Sequence, residues 1–212
     1  MPTTPDSPAS SPRPPFSVCV YCGSRAGARP EYTRAAEDLG RQIARRGWHL
    51  VYGGGNVGLM GVIADAVLAH GGQVCGVIPE SLMQREVGHR GLTELHVVAD
   101  MHQRKQRMAE SADAFVALPG GIGTLEELYE VWTWRHLGYH RKPVALLDVG
   151  GYYQGLIAFM RTVQSEGFVS QDQTDMLITH DDVSTLLDAL AQTGAQARNT
   201  GPGASPADYS RI

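Results

Sequence analysis

The residues with the clearest chemical potential form a glycine-rich stretch that ends in acidic side chains. Residues 119–127 read P-G-G-I-G-T-L-E-E and directly follow the apolar run 114–118. Glycines let a backbone approach an anion closely, and a helix starting near Thr124 would point free N–H groups and its positive dipole end at that anion. The stretch therefore predicts a phosphate-binding loop. It lacks the lysine that follows the last glycine in the P-loop of nucleoside-triphosphate hydrolases, so ATP hydrolysis is not expected.

Glu127 has two interpretations that its spacing leaves open. Thr124 and Glu127 have the spacing of a capping box, in which the two side chains satisfy backbone groups at a helix start. Alternatively, the Glu127 carboxylate faces a sugar next to the bound phosphate and acts on it chemically.

A second glycine-rich stretch, residues 53–58, fits the pattern G-x-G-x-x-G, and Glu80 lies 22 residues beyond Gly58. This spacing is typical of a dinucleotide-binding site, so a nicotinamide-dependent oxidoreductase is one alternative. However, that fingerprint normally follows the first strand of a sheet, and here a predicted strand and helix precede it. A phosphate or nucleotide contact and a simple tight turn are the other interpretations.

A basic cluster occupies residues 101–107, M-H-Q-R-K-Q-R, and it includes Lys105, one of two lysines in the chain. Three basic residues on one helix are typical of a solvated face. Because the cluster opens a helix after a predicted strand, Arg104 could instead contact an anion or orient a carboxylate.

Alternating strands and helices would position these stretches. The pattern predicts strands at 16–22, 48–52, 73–78, 95–98, 114–118 and 144–148, and helices at 31–46, 58–70, 101–111, 124–137, 152–165 and 182–190. This alternation indicates a single doubly wound, Rossmann-like α/β domain over residues 16–190, with a mainly parallel sheet and helices on both faces. Ligands bind such sheets beyond the carboxyl ends of the strands, where Ser24, Gly53, Gly54 and Gly55 are expected together with the 120–124 loop.

Composition narrows the function classes. The 212 residues carry 18 basic and 22 acidic side chains, which argues against nucleic-acid binding by general phosphate attraction. No apolar run is long enough to cross a membrane or form a signal-peptide core, and three cysteines do not make a disulfide scaffold. We therefore expect a cytoplasmic protein. Residues 1–15 are predicted to be a disordered Pro/Ser-rich tail and residues 191–212 a flexible tail.

Two residue pairs that could suggest a redox or metal site are set aside. Cys19 and Cys22 lie on a predicted strand, where residues three apart point to opposite faces. His136 and His140 are separated by Gly138, which marks a helix end, and no third ligand is evident. No metal is expected.

The two functional stretches together resemble a known family. P-G-G-x-G-T-x-x-E at 119–127 and M-H-x-R-K at 101–105 resemble the LOG ("lonely guy") proteins, cytokinin riboside 5′-monophosphate phosphoribohydrolases once labelled lysine decarboxylases. The resemblance covers about residues 16–190. It implies that Arg104 and Glu127 are the catalytic pair. It also implies a nucleotide site lined by Glu80, Lys105, Gly120, Gly121, Ile122, Gly123, Thr124, Leu125, Glu126 and Thr133.

The implied reaction is hydrolysis of the N-glycosidic bond of a purine nucleoside 5′-monophosphate, without a cofactor. The resemblance also implies a homodimer, in line with the broad apolar surface of the 124–137 helix. Pyridoxal-dependent decarboxylation is disfavoured, because only Lys105 and Lys142 could form a Schiff base. A carrier protein, for instance for molybdenum cofactor, remains an alternative that would not need the Arg104–Glu127 pair. The sequence leaves cytokinin nucleotides, AMP and other purine monophosphates open as substrates.

Overall fold

A parallel β-sheet forms the centre of the computed structural model, which describes residues 16–83 and 88–199. Within these residues seven strands lie in the order β4-β3-β2-β1-β5-β6-β7, and every neighbouring pair is parallel. The strands are β1 Ser17–Tyr21, β2 His49–Tyr52, β3 Gln73–Pro79, β4 Glu94–Val98, β5 Ala114–Ala117, β6 Val144–Leu147 and β7 Leu177–His180. All six predicted strands are present.

Helices cover both faces of the sheet. They are α1 Pro30–Arg45, α2 Gly58–Ala69, α3 Glu80–Met83, α4 Met101–Glu110, α5 Ile122–His136, α6 Gln154–Ser165, α7 Gln171–Thr174 and α8 Val183–Asn199. One hydrophobic core contains buried residues of α1, α2 and α8, and the other contains buried residues of α4 and α5. A parallel sheet with both faces buried explains why its strands are almost continuously apolar. The predicted doubly wound α/β fold is confirmed.

The strand order creates a switch point between β1 and β5. From β1 the chain builds outward through β2 and β3 to β4, and it then returns to place β5 on the other side of β1. The connections that leave β1 and β5 therefore diverge to opposite sides and open a crevice at the carboxyl ends of these strands. Ligands of open α/β sheets bind in such a crevice.

The carboxyl-terminal part of the fold differs from the sequence prediction. Strand β7 and the short helix α7 had no predicted counterpart. Helix α8 continues to Asn199, nine residues beyond its predicted end at residue 190, so residues 191–199 of the predicted flexible tail are helical. Leu190 is fully buried, and Gly194 packs so closely on the ring of Phe16 that an added Cβ would lie 2.6 Å from it. These contacts tie the helix end to the start of β1.

The predicted tails at 1–15 and 200–212 lie outside the described residues. Among the residues that are described, no helix is both long and apolar enough to cross a membrane.

Candidate active site

Backbone segments from three strands meet at the switch point. The Gly23 N–H donates to the Pro119 carbonyl (3.1 Å), and the Leu59 N–H donates to the Gly23 carbonyl (3.0 Å). A cavity of about 540 Å³ opens beside these contacts. It is lined by Gly23, Ser24, Arg25, Ala26, Gly27, Tyr32, Leu59, Pro119, Gly120, Gly121, Ile122 and Tyr152. Of the predicted site residues, the structure thus brings Ser24, Gly120, Gly121 and Ile122 together.

Gly120 sits where a side chain has no room. A Cβ at this position would overlap the Thr124 side chain and lie 2.9 Å from the Gly23 nitrogen. The Tyr152 hydroxyl donates to the Gly120 carbonyl (2.5 Å), and the buried Tyr153 hydroxyl donates to the Leu118 carbonyl (2.6 Å). The two tyrosines hold the loop from the segment that follows β6. Sequence reasoning missed them, because their only signal is a Tyr-Tyr pair after two glycines. Their hydroxyls contact the loop only because β5 and β6 pair side by side.

Helix α5 starts beside open space. It begins at Ile122, and its N-cap, Gly121, makes no side-chain capping bond. An added Cβ at Gly121 or Gly123 would meet nothing within 4 Å. Unsatisfied N–H groups at a helix start attract anions, and the dipole favours negative charge there. This geometry fits a bound phosphate.

The start of α5 bears on one of the two interpretations of Glu127, the capping box. In a capping box the threonine is the N-cap residue, whereas Thr124 is the third residue of the helix and is only 4% exposed. The capping-box interpretation is therefore wrong. Glu127 lies in the second turn of α5 and is half-buried.

Arg104 is buried between the ends of two strands. Its side chain leaves the first turns of α4, a helix capped by Asp100, whose carboxylate accepts from the Gln103 N–H at 2.8 Å. The guanidinium Nε donates to the Val77 carbonyl (3.2 Å), and Nη2 donates to the Gly53 carbonyl (3.1 Å). A Cβ at Gly53 would overlap Nη2. The absence of a side chain at Gly53 therefore leaves the space that the Arg104 guanidinium occupies.

The charges of Arg104 and Glu127 reach the same thiol. Cys22 directly follows β1, and burial raises the pKa of its thiol well above the ordinary value. The negative charge of Glu127 raises this pKa further, and the positive charge of Arg104 lowers it. Both charges thus act at the carboxyl end of β1, beside the switch point. The structure brings the predicted catalytic pair to one edge of the sheet.

Lys105 and Glu126 are engaged with each other. The Lys105 ammonium donates to Glu126 (2.7 Å) and Glu130 (2.8 Å) on α5. Burial by itself would lower the pKa of Lys105, but the hydrogen bonds to these two carboxylates outweigh it and raise that pKa. Neither Lys105 nor Glu126 lines the cavity at the switch point. In this structure Lys105 joins α4 to α5.

The glycines of the 53–58 stretch are mostly explained by backbone conformation and contacts within the protein. Gly54 and Gly58 have positive φ angles of 77° and 57°, which favour glycine. A Cβ at Gly58 would overlap the backbone of Ser24. The Gly54 carbonyl accepts from the His89 N–H (3.0 Å), and Gly55 forms a β-bridge with Gly88. These contacts favour the tight-turn interpretation over a dinucleotide fingerprint.

The remaining predicted residues lie at different distances from the loop. Glu80 is exposed and begins α3, directly after β3 at the same edge of the sheet. Leu125 is half-buried and packs on the α4–α5 core. Thr133 is exposed on α5, about 16 Å along the helix from Ile122. Thr133 lines a separate cavity of about 350 Å³. Within one chain it is not brought to the loop.

His140 cannot serve as a metal ligand with His136. Its Nε2 bonds to the Val131 carbonyl (3.0 Å), and its Nδ1 accepts from the Lys142 N–H (3.1 Å). Burial, followed by the positive charge of Lys142, lowers the pKa of His140 to about 4. Both ring nitrogens are used, and the ring is neutral at pH 7.

Comparison with known proteins gives consistent matches. Residues 60–190 match a family model described as "Possible lysine decarboxylase". The chain is 50% identical to a cytokinin riboside 5′-monophosphate phosphoribohydrolase of Arabidopsis thaliana, over 82% of this chain and 81% of that protein. It is 49% identical to a protein of the same name from Rhodococcoides fascians, over 90% of this chain and 96% of that protein.

Solved structures share the fold. A molybdenum cofactor (Moco) carrier protein of Chlamydomonas reinhardtii superposes with a TM-score of 0.67 at 23% identity, covering 86% of this chain and 99% of that one. A molybdenum cofactor binding protein of Rippkaea orientalis gives a TM-score of 0.65 at 22% identity, covering 86% and 98%. At this identity the likeness concerns the fold alone.

Proposed function

The chain belongs to the LOG family, and from that membership we propose that it hydrolyses the N-glycosidic bond of a cytokinin riboside 5′-monophosphate. The products are the free base and ribose 5-phosphate. The observation that carries the proposal is a helix start at the switch point that suits an anion, with Arg104 and Glu127 at the same edge of the sheet. The relatives of that name at about 50% identity support it.

The phosphate binds at the start of α5. The N–H groups of the first turn, next to Gly120 and Gly121, hold its oxygens. The Thr124 side chain packs against Gly120. Fixing the phosphate also fixes the ribose, because the two are joined through one C5′–O bond. Orientation of this kind lowers the entropic part of the barrier.

Glu127 acts on the ribose. Cleavage of the bond between C1′ and the base nitrogen develops positive charge on the sugar, as in other glycoside hydrolysis. A carboxylate one turn beyond the phosphate site can stabilise that charge and accept a proton from the attacking water. The water oxygen then bonds to C1′, and the bonding pair leaves with the base nitrogen. This nitrogen takes up one proton, which balances the proton that Glu127 accepts from the water.

Arg104 positions the reacting groups. Its guanidinium is fixed by carbonyls of β3 and of the Gly53 turn, so its charge stays in one place at the edge of the sheet. A fixed positive charge there orients the Glu127 carboxylate or the nucleotide. A carrier protein with the same fold would not require this pair.

Replacing Glu127 tests the assignment. Glu127→Gln keeps the size of the side chain but removes its negative charge, and we expect base release to fall about 100- to 10,000-fold. The measurement is chromatography of the base released from N6-isopentenyl-AMP. Glu130→Gln is the matched control, because Glu130 lies on the same helix, is also half-buried, and as glutamine keeps an oxygen that can accept from Lys105. It should retain most of the activity.

Three outcomes would contradict the proposal. A wild-type rate of base release in Glu127→Gln would show that the Glu127 carboxylate has no role in the reaction. Nucleotide binding by the wild-type protein without base release from any nucleoside monophosphate would favour a carrier. Tight binding of a nicotinamide dinucleotide would favour an oxidoreductase. Comparing kcat/KM for N6-isopentenyl-AMP and AMP establishes the preferred base, and we expect the former to be higher.

We further propose that the protein is a homodimer. No residue of α6 is buried, and Phe159 on this helix is 61% exposed. The apolar cavity beside it is lined by Tyr129, Trp132, Thr133, His136, Phe159, Met160, Val163, Val169 and Gln173. Exposed patches rich in aromatic residues and methionine are typical of subunit interfaces, and two-fold dimers are the most common assemblies. In such a dimer Thr133 can serve the nucleotide of the partner subunit.

A cytoplasmic location and the absence of nucleic-acid partners are part of the same proposal. All three cysteines are free, in keeping with a reducing compartment. The formal net charge of −4 gives no general attraction to nucleic acid.

A further inference from the structure

A second cluster of chemistry-bearing side chains lies away from the switch point, near the amino ends of β3 and β4. In the register of these parallel strands Cys75 is paired with Glu94, and His96 follows two residues along β4. Side chains two residues apart on a strand share a face, as do residues that pair across parallel strands. The two strands therefore present a thiol, a carboxylate and an imidazole on one surface.

The donor atoms of this cluster are close together. One ligand atom from each of Cys75, Glu94 and His96 lies within 4.8 Å of the other two. The His96 Nε2 and the Glu94 Oε2 are 3.3 Å apart. Small rotations of exposed side chains would suffice to place all three atoms around one ion.

We propose that Cys75, Glu94 and His96 bind one Zn²⁺ ion. Sulfur, nitrogen and carboxylate oxygen are the donor types that zinc takes in proteins. Three protein ligands leave the fourth tetrahedral position to water, which reaches the site because the Glu94 side chain is 63% exposed. On binding, the Sγ–H bond of Cys75 breaks, the sulfur electron pair bonds to zinc, and the proton passes to solvent.

The surroundings can accommodate the ion. The three residues border a cavity of about 180 Å³, whose other polar lining residues are Ser17, His49, Gln73, Thr93, Arg107 and Ser111. A cavity of this size holds an ion with several waters. Hydroxyl and imidazole groups in the lining can accept or donate hydrogen bonds to the metal-bound water, as outer-shell groups do at other zinc sites.

The charge of Arg107 does not oppose the metal. This arginine lies on α4 and lines the same cavity as the three residues. The thiolate and the Glu94 carboxylate together carry two negative charges, which balance the two positive charges of zinc. The occupied cluster is therefore neutral, and Arg107 faces no net positive charge.

The position of the site indicates a structural role. Among the described residues, β4 is an edge strand that pairs only with β3. An ion held by both strands would cross-link this edge. Cys75 is five residues before Glu80 along the chain, or about 16 Å along an extended strand. Because of this distance, the metal would stabilise the fold and would not contact a nucleotide at the switch point.

Cobalt spectroscopy on the untagged full-length chain tests the proposal. Co²⁺ takes zinc sites, and a bound thiolate gives a ligand-to-metal charge-transfer band in the near ultraviolet. We expect one Co²⁺ per chain with this band, and its loss when one equivalent of Zn²⁺ is added. Cys75→Ser should abolish the band, and His96→Ala should weaken metal affinity by about 100-fold or more, since even outer-shell changes cost 10- to 100-fold.

A control variant and a second measurement make the result decisive. Cys19→Ala removes a fully buried thiol of the neighbouring part of the sheet, and it should keep the cobalt band. One equivalent of Zn²⁺ should raise the thermal midpoint of the wild-type protein but not that of His96→Ala. A band that survives in Cys75→Ser, or a wild-type chain that takes up no Co²⁺ at micromolar concentration, would overturn the zinc site. Neither readout depends on enzymatic activity.

Discussion

Replacing Gly53 by alanine tests whether the proposed chemistry depends on how the turn after β2 holds Arg104. The added Cβ would overlap the Nη2 atom of the guanidinium, which donates to the carbonyl of the same glycine at 3.1 Å. Arg104 is only 6% exposed and has little space to move. The substitution must therefore displace the guanidinium, the turn, or both.

The size of the effect follows from the contacts that are lost. A hydrogen bond to a charged group contributes about 1.5–3 kcal/mol to stability. The second anchor, from Nε to the Val77 carbonyl, remains in reach. We therefore expect Gly53→Ala to lower the free energy of unfolding by about 2–3 kcal/mol. A displacement of about 1 Å in a positioning group can cost about 100-fold in rate, so kcat/KM should fall by that order.

The assay combines base release from N6-isopentenyl-AMP with urea unfolding. Gly155→Ala is the matched control, because an added Cβ there meets nothing within 4 Å and the residue lies in α6. It should leave activity unchanged and alter stability by no more than about 1 kcal/mol, in the favourable direction expected for alanine in a helix.

A double variant separates the explanation from general damage. If Gly53→Ala acts through Arg104, adding it to Arg104→Ala should cost little further activity, since the guanidinium is already absent. Additive losses of activity in the double variant would show that Gly53→Ala affects catalysis independently of Arg104. Wild-type kcat/KM and stability in Gly53→Ala would refute the reasoning. They would show that the added Cβ is accommodated without displacing the Arg104 guanidinium.

Two further predictions concern pH and assembly. The pKa of His140 is lowered from 6.5 to about 4 in the folded chain. Between pH 4 and pH 6.5 the unfolded chain therefore binds more protons than the folded chain. The free energy of unfolding should fall by about 3 kcal/mol as the pH drops from 6.5 to 4. Urea titrations at several pH values should show this slope in the wild type and a much smaller one in His140→Gln. For assembly, Phe159→Glu should shift sedimentation from two chains towards one, while Ser165→Glu at the exposed end of α6 should not. A wild-type protein that sediments as one chain would contradict the dimer.

The elements with strong local patterns were predictable. Apolar β-branched runs and helical periodicity placed all six predicted strands and the main helices within a few residues. β7 was missed because a four-residue edge strand that is only half-buried gives a weak signal. The end of α8 was missed because its Ala- and Gln-rich sequence reads like a tail, and burial of Leu190 and Gly194 against the sheet stabilises it.

The candidate site was predictable in its motifs but not in its contacts. The G-x-G-x-x-G pattern suggested a ligand loop, yet Gly53 and Gly58 make room for Arg104 and for the backbone of Ser24. Lys105 and Glu126 were both predicted at the nucleotide site, and the structure adds that the Lys105 ammonium is paired with Glu126 and Glu130. Such outcomes depend on which helices pack side by side, which local spacing does not encode.

The sequence by itself determined the α/β alternation, the two glycine-rich turns and the residues of the two family motifs, because periodicity and glycine placement are local properties. The tertiary structure decided where those turns meet. The return of the chain from β4 to β5, on the far side of β1, places the 119–124 loop against Gly23 and creates the crevice. It also places the start of α5 beside the cavity, which Gly121 and Ile122 line, and brings Glu127 to the same edge of the sheet as Arg104. Strand order is a long-range choice made by packing both faces of one sheet, so only the folded chain could reveal the site.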